Sequence, residues 1–249
     1  MIKISGSIVI YNENKETLKR IIENFLSLEY TKELIVIDNS LENTLEAFCN
    51  EYKDIRYLHS KVNLGFGAGH NLAFKNLSKS SDIHLIVNPD VYFNVDNINK
   101  FLKWFYTSKD ISLAIPMVLN PDGSIQSIVR KIPTPWNLIS RRIGLSSGEI
   151  NIEKNEINDI PFAHGCFMTF KTAIFAELDG FDERFFMYME DIDIFIRAKQ
   201  FGRTVINSNY EIYHEYRKGS SKSIRLLVWH IVSAVKFFLK YGIIKLYRK

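Results

Sequence analysis

Strand-like and helix-like patterns alternate through the first half of this chain, and that alternation leaves few architectures open. Ser7-Ile8-Val9-Ile10-Tyr11 is followed by Leu18, Ile21, Ile22, Phe25 and Leu26 at helical spacing. Leu34-Ile35-Val36-Ile37-Asp38 is followed by Leu45, Phe48 and Cys49 on a second helix face. Ile55-Arg56-Tyr57-Leu58 and His84-Leu85-Ile86-Val87 complete a set of four predicted strands. Continuously apolar strands between amphipathic helices imply an α/β protein with a mainly parallel central sheet flanked by helices on both faces. In such sheets ligands bind beyond the carboxyl ends of the strands. Each strand meets polar or glycine-rich sequence at that end: Asn12-Glu13-Asn14, Asp38-Asn39-Ser40, Asn63-Leu64-Gly65 and Asn88-Pro89-Asp90. A ligand site along this edge is therefore expected.

The second half reads differently. Residues 112–119 are strand-like, Asn120-Pro121-Asp122-Gly123 is a turn signal, and 124–129 are expected to return as a hairpin. Residues 130–160 are basic and then polar, with Pro133 and Pro135, and read as a mobile surface excursion. Residues 162–170 resume the sheet, 189–201 form a helix stopped by Gly202, and 223–247 have helical periodicity.

Charge and cysteines narrow the functional classes. With 46% hydrophobic and 24% charged residues over 249 positions, the chain is an ordinary globular protein and not a disordered one. The formal net charge of +4 hides an asymmetry. No Asp or Glu follows Glu215, whereas nine bases do: Arg217, Lys218, Lys222, Arg225, Lys236, Lys240, Lys245, Arg248 and Lys249. An acidic surface partner for that end is expected, and not a nucleic-acid groove across the body. Cys49 and Cys166 stand apart without metal-type spacing and read as reduced thiols. No secretory signal is visible, and no segment offers the roughly 18 uncharged apolar residues that spanning a bilayer requires. A cytoplasmic location is the expectation.

Four stretches offer chemistry. Asp38 ends a buried strand, where it can accept from a pyrimidine N–H or a ribose hydroxyl, or simply cap a turn. In Asn63-Leu64-Gly65-Phe66-Gly67-Ala68-Gly69-His70-Asn71 the glycines permit close approach of backbone N–H groups to a ligand, a tight turn being the alternative. They follow the third strand and not the first, which argues against a dinucleotide fingerprint. Asp90, at the end of the fourth strand, suits Mg²⁺ or Mn²⁺ beside a diphosphate, because such metals need only one or two protein carboxylates; an Asn-Pro-Asp turn is the alternative. Glu190, Asp191 and Asp193 start a helix, where negative charge is favourable. Asp193 and Arg197 are spaced to pair on the helix surface. Asp191 shares a face with Ile194 and Phe195 and should turn inward, where an unused carboxylate is costly.

Together these residues resemble glycosyltransferase family 2, inverting enzymes of the GT-A fold. Ile8 to Asn12, Val36 to Ser40, Asn63 to Gly67, Val87 to Asp90, and Gly180 to Glu183 through Glu190-Asp191 occur in that family's order. The Asn-Leu-Gly-Phe-Gly and Asn-Pro-Asp versions are most similar to bacterial rhamnosyltransferases of surface polysaccharide synthesis, O-antigen included. The resemblance implies a GT-A catalytic domain over 1–222, in which a Rossmann-like nucleotide-sugar half (1–110) merges with an acceptor half (111–222). A basic amphipathic helix follows over 223–249. It implies donor binding by Tyr11, Asn12, Asp38, Asn63, Gly65, Asn88, Asp90 and Arg217, the last in a stretch over 217–221 that could close on the diphosphate. It implies a divalent cation at Asp90 and His214, with Asn88 departing from the family's first Asp. Glu190, His164 and Gly165 fall on the acceptor side and Asp191 is the base. The implied donor is dTDP-rhamnose, with a UDP-hexose or UDP-N-acetylhexosamine as the alternative. The implied acceptor is a saccharide, lipid-diphosphate-linked as the family resemblance leads one to expect. A silent sugar-nucleotide-binding protein is the rival class, but both Asp90 and Asp191 are present. The tail helix, with Lys222, Arg225, Ser233, Lys236 and Lys240 on one side and Leu227, Ile231, Ala234, Val235 and Phe238 on another, would lie on the anionic inner face of the membrane, or pack on the domain or on a second subunit as a homodimer.

Overall fold

The computed structural model describes residues 2–142, 145, 148–215 and 224–242. Its first half alternates strand and helix: β1 (Lys3–Ile10), α1 (Lys15–Leu26), β2 (Thr31–Asp38), α2 (Glu46–Cys49), β3 (Ile55–His59), α3 (Phe66–Lys75) and β4 (Ile83–Val87). There follow β5 (Val91–Tyr92), α4 (Val95–Thr107), β6 (Ile111–Leu119), β7 (Val129–Arg130), α5 (Pro135–Arg142), β8 (Ile157–Asp159), β9 (Phe162–Ala163) and β10 (Phe167–Lys171). The chain continues through α6 (Thr172–Glu177), α7 (Glu190–Ala198), β11 (Arg203–His214) and α8 (Ile224–Tyr241). All four predicted strands form; the predicted second helix is a single turn.

The main sheet runs β3-β2-β1-β4-β10-β6-β11-β5, with β8 also paired to β11. The pairs β3/β2, β2/β1, β1/β4 and β6/β11 are parallel. Strand β10 runs against both neighbours, and β5 and β8 run against β11. The carboxyl ends of β1, β2, β3, β4, β6 and β11 therefore share one edge with the amino end of β10.

Local chemistry accounts for the flanking helices. Asn14 and Asn94 cap α1 and α4, their side chains accepting from Glu16 N and Asn97 N. The faces Leu18, Ile21, Ile22, Phe25 and Ile98, Phe101, Leu102, Phe105 are buried against the sheet. Each such side chain contributes about 1.5–3 kcal/mol by leaving water. Strand β6 is buried along its whole length, as a strand covered on both faces must be. Cys49 and Cys166 are free and buried, and burial pushes both thiols up to about 12.

One expectation holds only in part and one fails. Residues 124–129 turn back onto β6 for a single antiparallel bridge, Leu119 to Ile125, with the Gln126 N–H donating to Val118 O at 2.9 Å, before β7 leaves to pair with β9. The stretch 130–160 is no loose excursion over its described residues. It contributes α5 and β8, and Ile132, Leu138, Ile150 and Ile152 pack on the core. The apolar positions were too sparse for periodicity to show, and they are recruited one at a time.

A polar strip crosses the core between β1, β4 and α3. Ser5 Oγ lies 2.8 Å from His84 Nδ1, and Ser7 Oγ lies 3.2 Å from His84 Nε2 and 2.8 Å from His70 Nδ1. Burial pushes His84 down to about 3; burial, with the neighbouring His84, also drives His70 well below its usual value. Both imidazoles are neutral in the fold, whereas the unfolded chain protonates them below about pH 6.5. The unfolded state thus binds more protons as pH falls, and stability is lost from there downward, reaching for His84 to about pH 3. His84 should remove about 1.5–2 kcal/mol between pH 6.5 and 5, and His70 acts in the same direction. Urea denaturation of the parent and of His84→Gln should show a shallower pH dependence in the variant; equal slopes would exclude His84 as a source of acid lability.

Candidate active site

The polar sequences at the strand ends converge as expected. Ile10 pairs with Asp38, Asp38 with His59, Ile8 with Val87, and Val87 with Phe167. These pairings bring Tyr11, Asn12, Asp38, Asn88, Asp90, His164 and Gly165 to one edge.

On the β1–β3 side, the Asp38 carboxylate is buried; Oδ1 accepts from Ser40 N at 2.8 Å and Oδ2 from the Tyr57 hydroxyl at 2.6 Å. Asp38 thus organises its own turn as well as facing the edge, and Tyr57, whose hydroxyl burial and Asp38 together push upward in pKa, belongs to the site. Ser40 Oγ accepts from Asn12 N at 2.7 Å, and Asn12 has a left-handed φ of 51°. Tyr11 is 48% exposed at this edge. The glycine run is used otherwise than the sequence suggested. The Gly65 N–H donates to Asn63 Oδ1 at 2.9 Å and the Phe66 N–H to Phe186 O at 3.2 Å. A Cβ on Gly65, where φ is 85°, would sit 2.1 Å from Phe186 O. The glycine allows two backbones to touch, and these N–H groups face protein.

At the β4 end the Asn88 N–H donates to Cys166 O at 2.9 Å, fixing the turn that carries Asp90. Asp90 Oδ1 is buried, makes no hydrogen bond, and lies 3.2 Å from His214 Nε2. His214 Nδ1 lies 2.7 Å from Gln126 Oε1, while Gln126 Nε2 donates to Asn120 Oδ1 at 2.8 Å. Gln126 therefore presents an acceptor to His214 Nδ1, which leaves Nε2 as the ring atom that faces the carboxylate. A carboxylate oxygen and an imidazole nitrogen at that separation suit a shared divalent cation, with the histidine oriented from behind. No third His, Cys, Asp or Glu joins them among the described residues. Arg217 and the 217–221 stretch lie outside the described residues.

The acidic helix start lies beside β9. Asp191 Oδ1 accepts from Ile192 N at 2.8 Å, and Oδ2 lies 3.5 Å from His164 Nδ1. Glu190 is buried with Oε2 unpaired; burial and the Asp191 charge push it up to about 8. Burial thus favours the protonated form of Glu190, whereas Asp191 is the more open of the two carboxyls. A Cβ on Gly165 would come 3.7 Å from Asp191 Cβ, so this turn passes close beneath the carboxylate.

Asp193 corrects one expectation. It does pair with Arg197 (2.7 Å), but in the interior and not on the surface: Asp193 is fully buried and also bonded by Lys240 and, at 2.7 Å, by the Tyr241 hydroxyl. The reason is α8, which lays its polar side on the segment leading into α7. Ser233 Oγ donates to Met187 O, Lys236 Nζ to Arg184 O, and Lys240 Nζ to Asp182 Oδ2. The lysines expected to meet lipid hold protein instead. Ile224, Val228, Ile231, Val232, Val235 and Leu239 are the exposed row. From the other side Asn71 clamps the same segment, donating to Phe181 O and accepting from Phe181 N, both at 2.8 Å. Asn71, Tyr57, Gln126 and Arg130 are site-supporting residues that no sequence spacing marks; each acts on a residue far away in the chain.

A family model described as "Glycosyl transferase family 2" matches residues 7–179. The low-salt glycan biosynthesis hexosyltransferase Agl10 of Haloferax volcanii is 28% identical over 85% of this chain and 73% of its own. Rhamnosyltransferase WbbL of Escherichia coli K12 is 24% identical over 94% and 92%. An N-acetylglucosaminyl-diphospho-decaprenol L-rhamnosyltransferase of Mycobacterium tuberculosis is 25% identical over 68% of this chain and 61% of its own. Among solved structures, GalNAc-T7 with UDP, GalNAc and Mn²⁺ superposes with a TM-score of 0.68 at 17% identity, covering 88% of this chain. This chain spans 44% of that protein's length, and the likeness is one of fold.

Proposed function

The chain belongs to glycosyltransferase family 2, with the GT-A fold expected of it, and from that premise we propose an inverting transferase that moves L-rhamnose from dTDP-rhamnose to a saccharide acceptor. The observation that carries the reading is the facing pair Asp90 Oδ1 and His214 Nε2, 3.2 Å apart at the edge that also holds Asp38 and Asp191. Two of the relatives are named rhamnosyltransferases, which favours rhamnose over a UDP-hexose or UDP-N-acetylhexosamine.

Asp38 would accept from the base or ribose, with Tyr11 and Asn12 lining the nucleoside and Asn63 and Gly65 shaping the turn beneath it. Asp90 and His214 would hold Mg²⁺ or Mn²⁺, which when bound neutralises charge on the departing diphosphate. Asp191 takes the proton of the acceptor hydroxyl as its oxygen bonds to the anomeric carbon. The bond from that carbon to the diphosphate oxygen breaks, and one displacement inverts the centre. Glu190 and Gly165 would border the acceptor side of Asp191. Arg217 remains a candidate for the diphosphate.

The acceptor we propose is lipid-diphosphate-linked, as in the name of the mycobacterial relative. The exposed apolar row of α8 supports placing the enzyme against the anionic inner face of the cytoplasmic membrane. No helix among the described residues is long and apolar enough to cross a membrane.

Nucleoside diphosphate release from dTDP-rhamnose, UDP-glucose and UDP-N-acetylglucosamine, each with acceptor, tests the donor; release from a UDP-sugar alone would replace rhamnose. Binding without turnover of any donor would favour the silent-protein reading. Calorimetric titration of dTDP tests the metal. EDTA should weaken binding to the parent by about tenfold or more, 1.4 kcal/mol, and Asp90→Ala should bind weakly with or without Mn²⁺. Indifference of the parent to chelation would assign the phosphate charge to the protein's own bases.

A further inference from the structure

Beside Asp191 lies a three-residue relay that the proposed reaction does not itself require. Arg130 Nε donates to His164 Nε2 at 2.9 Å. A guanidinium can only donate, so Nε2 must offer its lone pair, and the hydrogen of the neutral imidazole sits on Nδ1. Nδ1 is the atom facing Asp191 Oδ2 at 3.5 Å. The other carboxylate oxygen is already tied to Ile192 N. Arg130 is steadied by Glu149, whose Oε1 lies 3.2 Å from Nη2, and the pairing of β7 with β9 sets Arg130 opposite Phe162, two residues from His164.

We propose that His164 is a positioning residue for Asp191, with Arg130 fixing its tautomer. This rests on the reading of Asp191 as the base. With Nε2 occupied and Nδ1 protonated, His164 has no lone pair for a hydroxyl proton, so it orients the base and is not a second one. Its N–H takes one lone pair of Oδ2 and holds the carboxylate plane, leaving the outer lone pair for the acceptor. The 3.5 Å separation is long for a hydrogen bond; contacts of this kind tighten when substrate closes the site.

Side-chain replacements separate this from a packing role, because an Asn amide nitrogen overlays the histidine Nδ1 position whereas Ala offers no donor. His164→Ala should lower kcat about tenfold or more, the scale of a lost orienting partner, with dTDP affinity unchanged by calorimetry. His164→Asn should recover kcat to within about threefold of the parent, and Arg130→Met should fall between. Adding Arg130→Met to His164→Ala should cost nothing further, since the two act as one unit. Parental kcat in His164→Ala, or an Asn variant no better than Ala, overturns the proposal. Asp191→Asn measured alongside distinguishes the two failures. If it is inactive while His164→Ala is unaffected, only the positioning role falls; if it is fully active, the base assignment falls and this role with it.

Discussion

Asp191→Asn is expected to cut turnover by about 10²-fold or more, the usual size of a general-base contribution, while dTDP binds as it does to the parent. The amide keeps the volume and can still accept from Ile192 N through its oxygen, the contact now made at 2.8 Å. What it loses is the capacity to take a proton. Glu190, next in sequence, does not replace it. That carboxyl is buried and pushed up to about 8, first by burial and then by the Asp191 charge. Removing the charge leaves the larger cause in place. Steady-state rates with the natural donor and calorimetric dTDP titration check both halves. Equal rates for variant and parent would remove Asp191 from the mechanism. Loss of dTDP affinity in step with rate would make Asp191 a donor-binding group.

The parts of this molecule that were legible in the sequence are those set by contiguous residues. Val36-Ile37-Asp38 reads as a buried strand ending in a carboxylate because the four consecutive apolar positions from Leu34 to Ile37 can only be covered on both faces. Asn88-Pro89-Asp90 and Glu190-Asp191 stand out because their chemistry is written into adjacent positions. Residues that act across the fold left no such trace. Gln126 sits where alternation suggested a hairpin arm, yet it reaches His214, 88 positions away, and decides which imidazole nitrogen faces Asp90. The glycines at 65 and 67 read as a ligand cradle because their partners, Phe186 O and the Phe181 Cβ, belong to a segment more than a hundred residues later. Lys236 and Lys240 fall on a basic face by helical spacing, and nothing in that spacing says that carbonyls and carboxylates of residues 182–193 cover it. Helical periodicity gives the faces of a helix but not which face the domain takes.

That two-sidedness of α8 leads to a paired prediction. Lys240→Met keeps the aliphatic stem but withdraws the cation from fully buried Asp193 and from Asp182, whose carboxyl Arg184, and secondarily Lys240, holds well below its usual value. Breaking a buried pair costs about 3–5 kcal/mol, and the low end applies here because Arg197 and Tyr241 remain on Asp193. Urea denaturation should register the loss, and the segment before Asp191 should loosen with it, since Ser233, Lys236 and Lys240 all bond between residues 182 and 193. Val228→Asp with Val235→Asp addresses the opposite face, where both side chains are more than half exposed. Stability should stay within about 0.5 kcal/mol per site, as for ordinary surface changes, whereas sedimentation with phosphatidylglycerol-containing vesicles should fall to background. Binding by the parent should weaken with added salt, because the bases after Glu215 other than Lys236 and Lys240 act through a screened field, and the apolar row should leave a salt-resistant remainder. A parent that stays in the supernatant with anionic vesicles at low salt, yet sediments as a dimer by ultracentrifugation, would assign the row to a second copy of the chain. In either case the inner side of the same helix bonds residues 182–193, so whatever covers its outer side lies across one helix from the segment that carries Asp191.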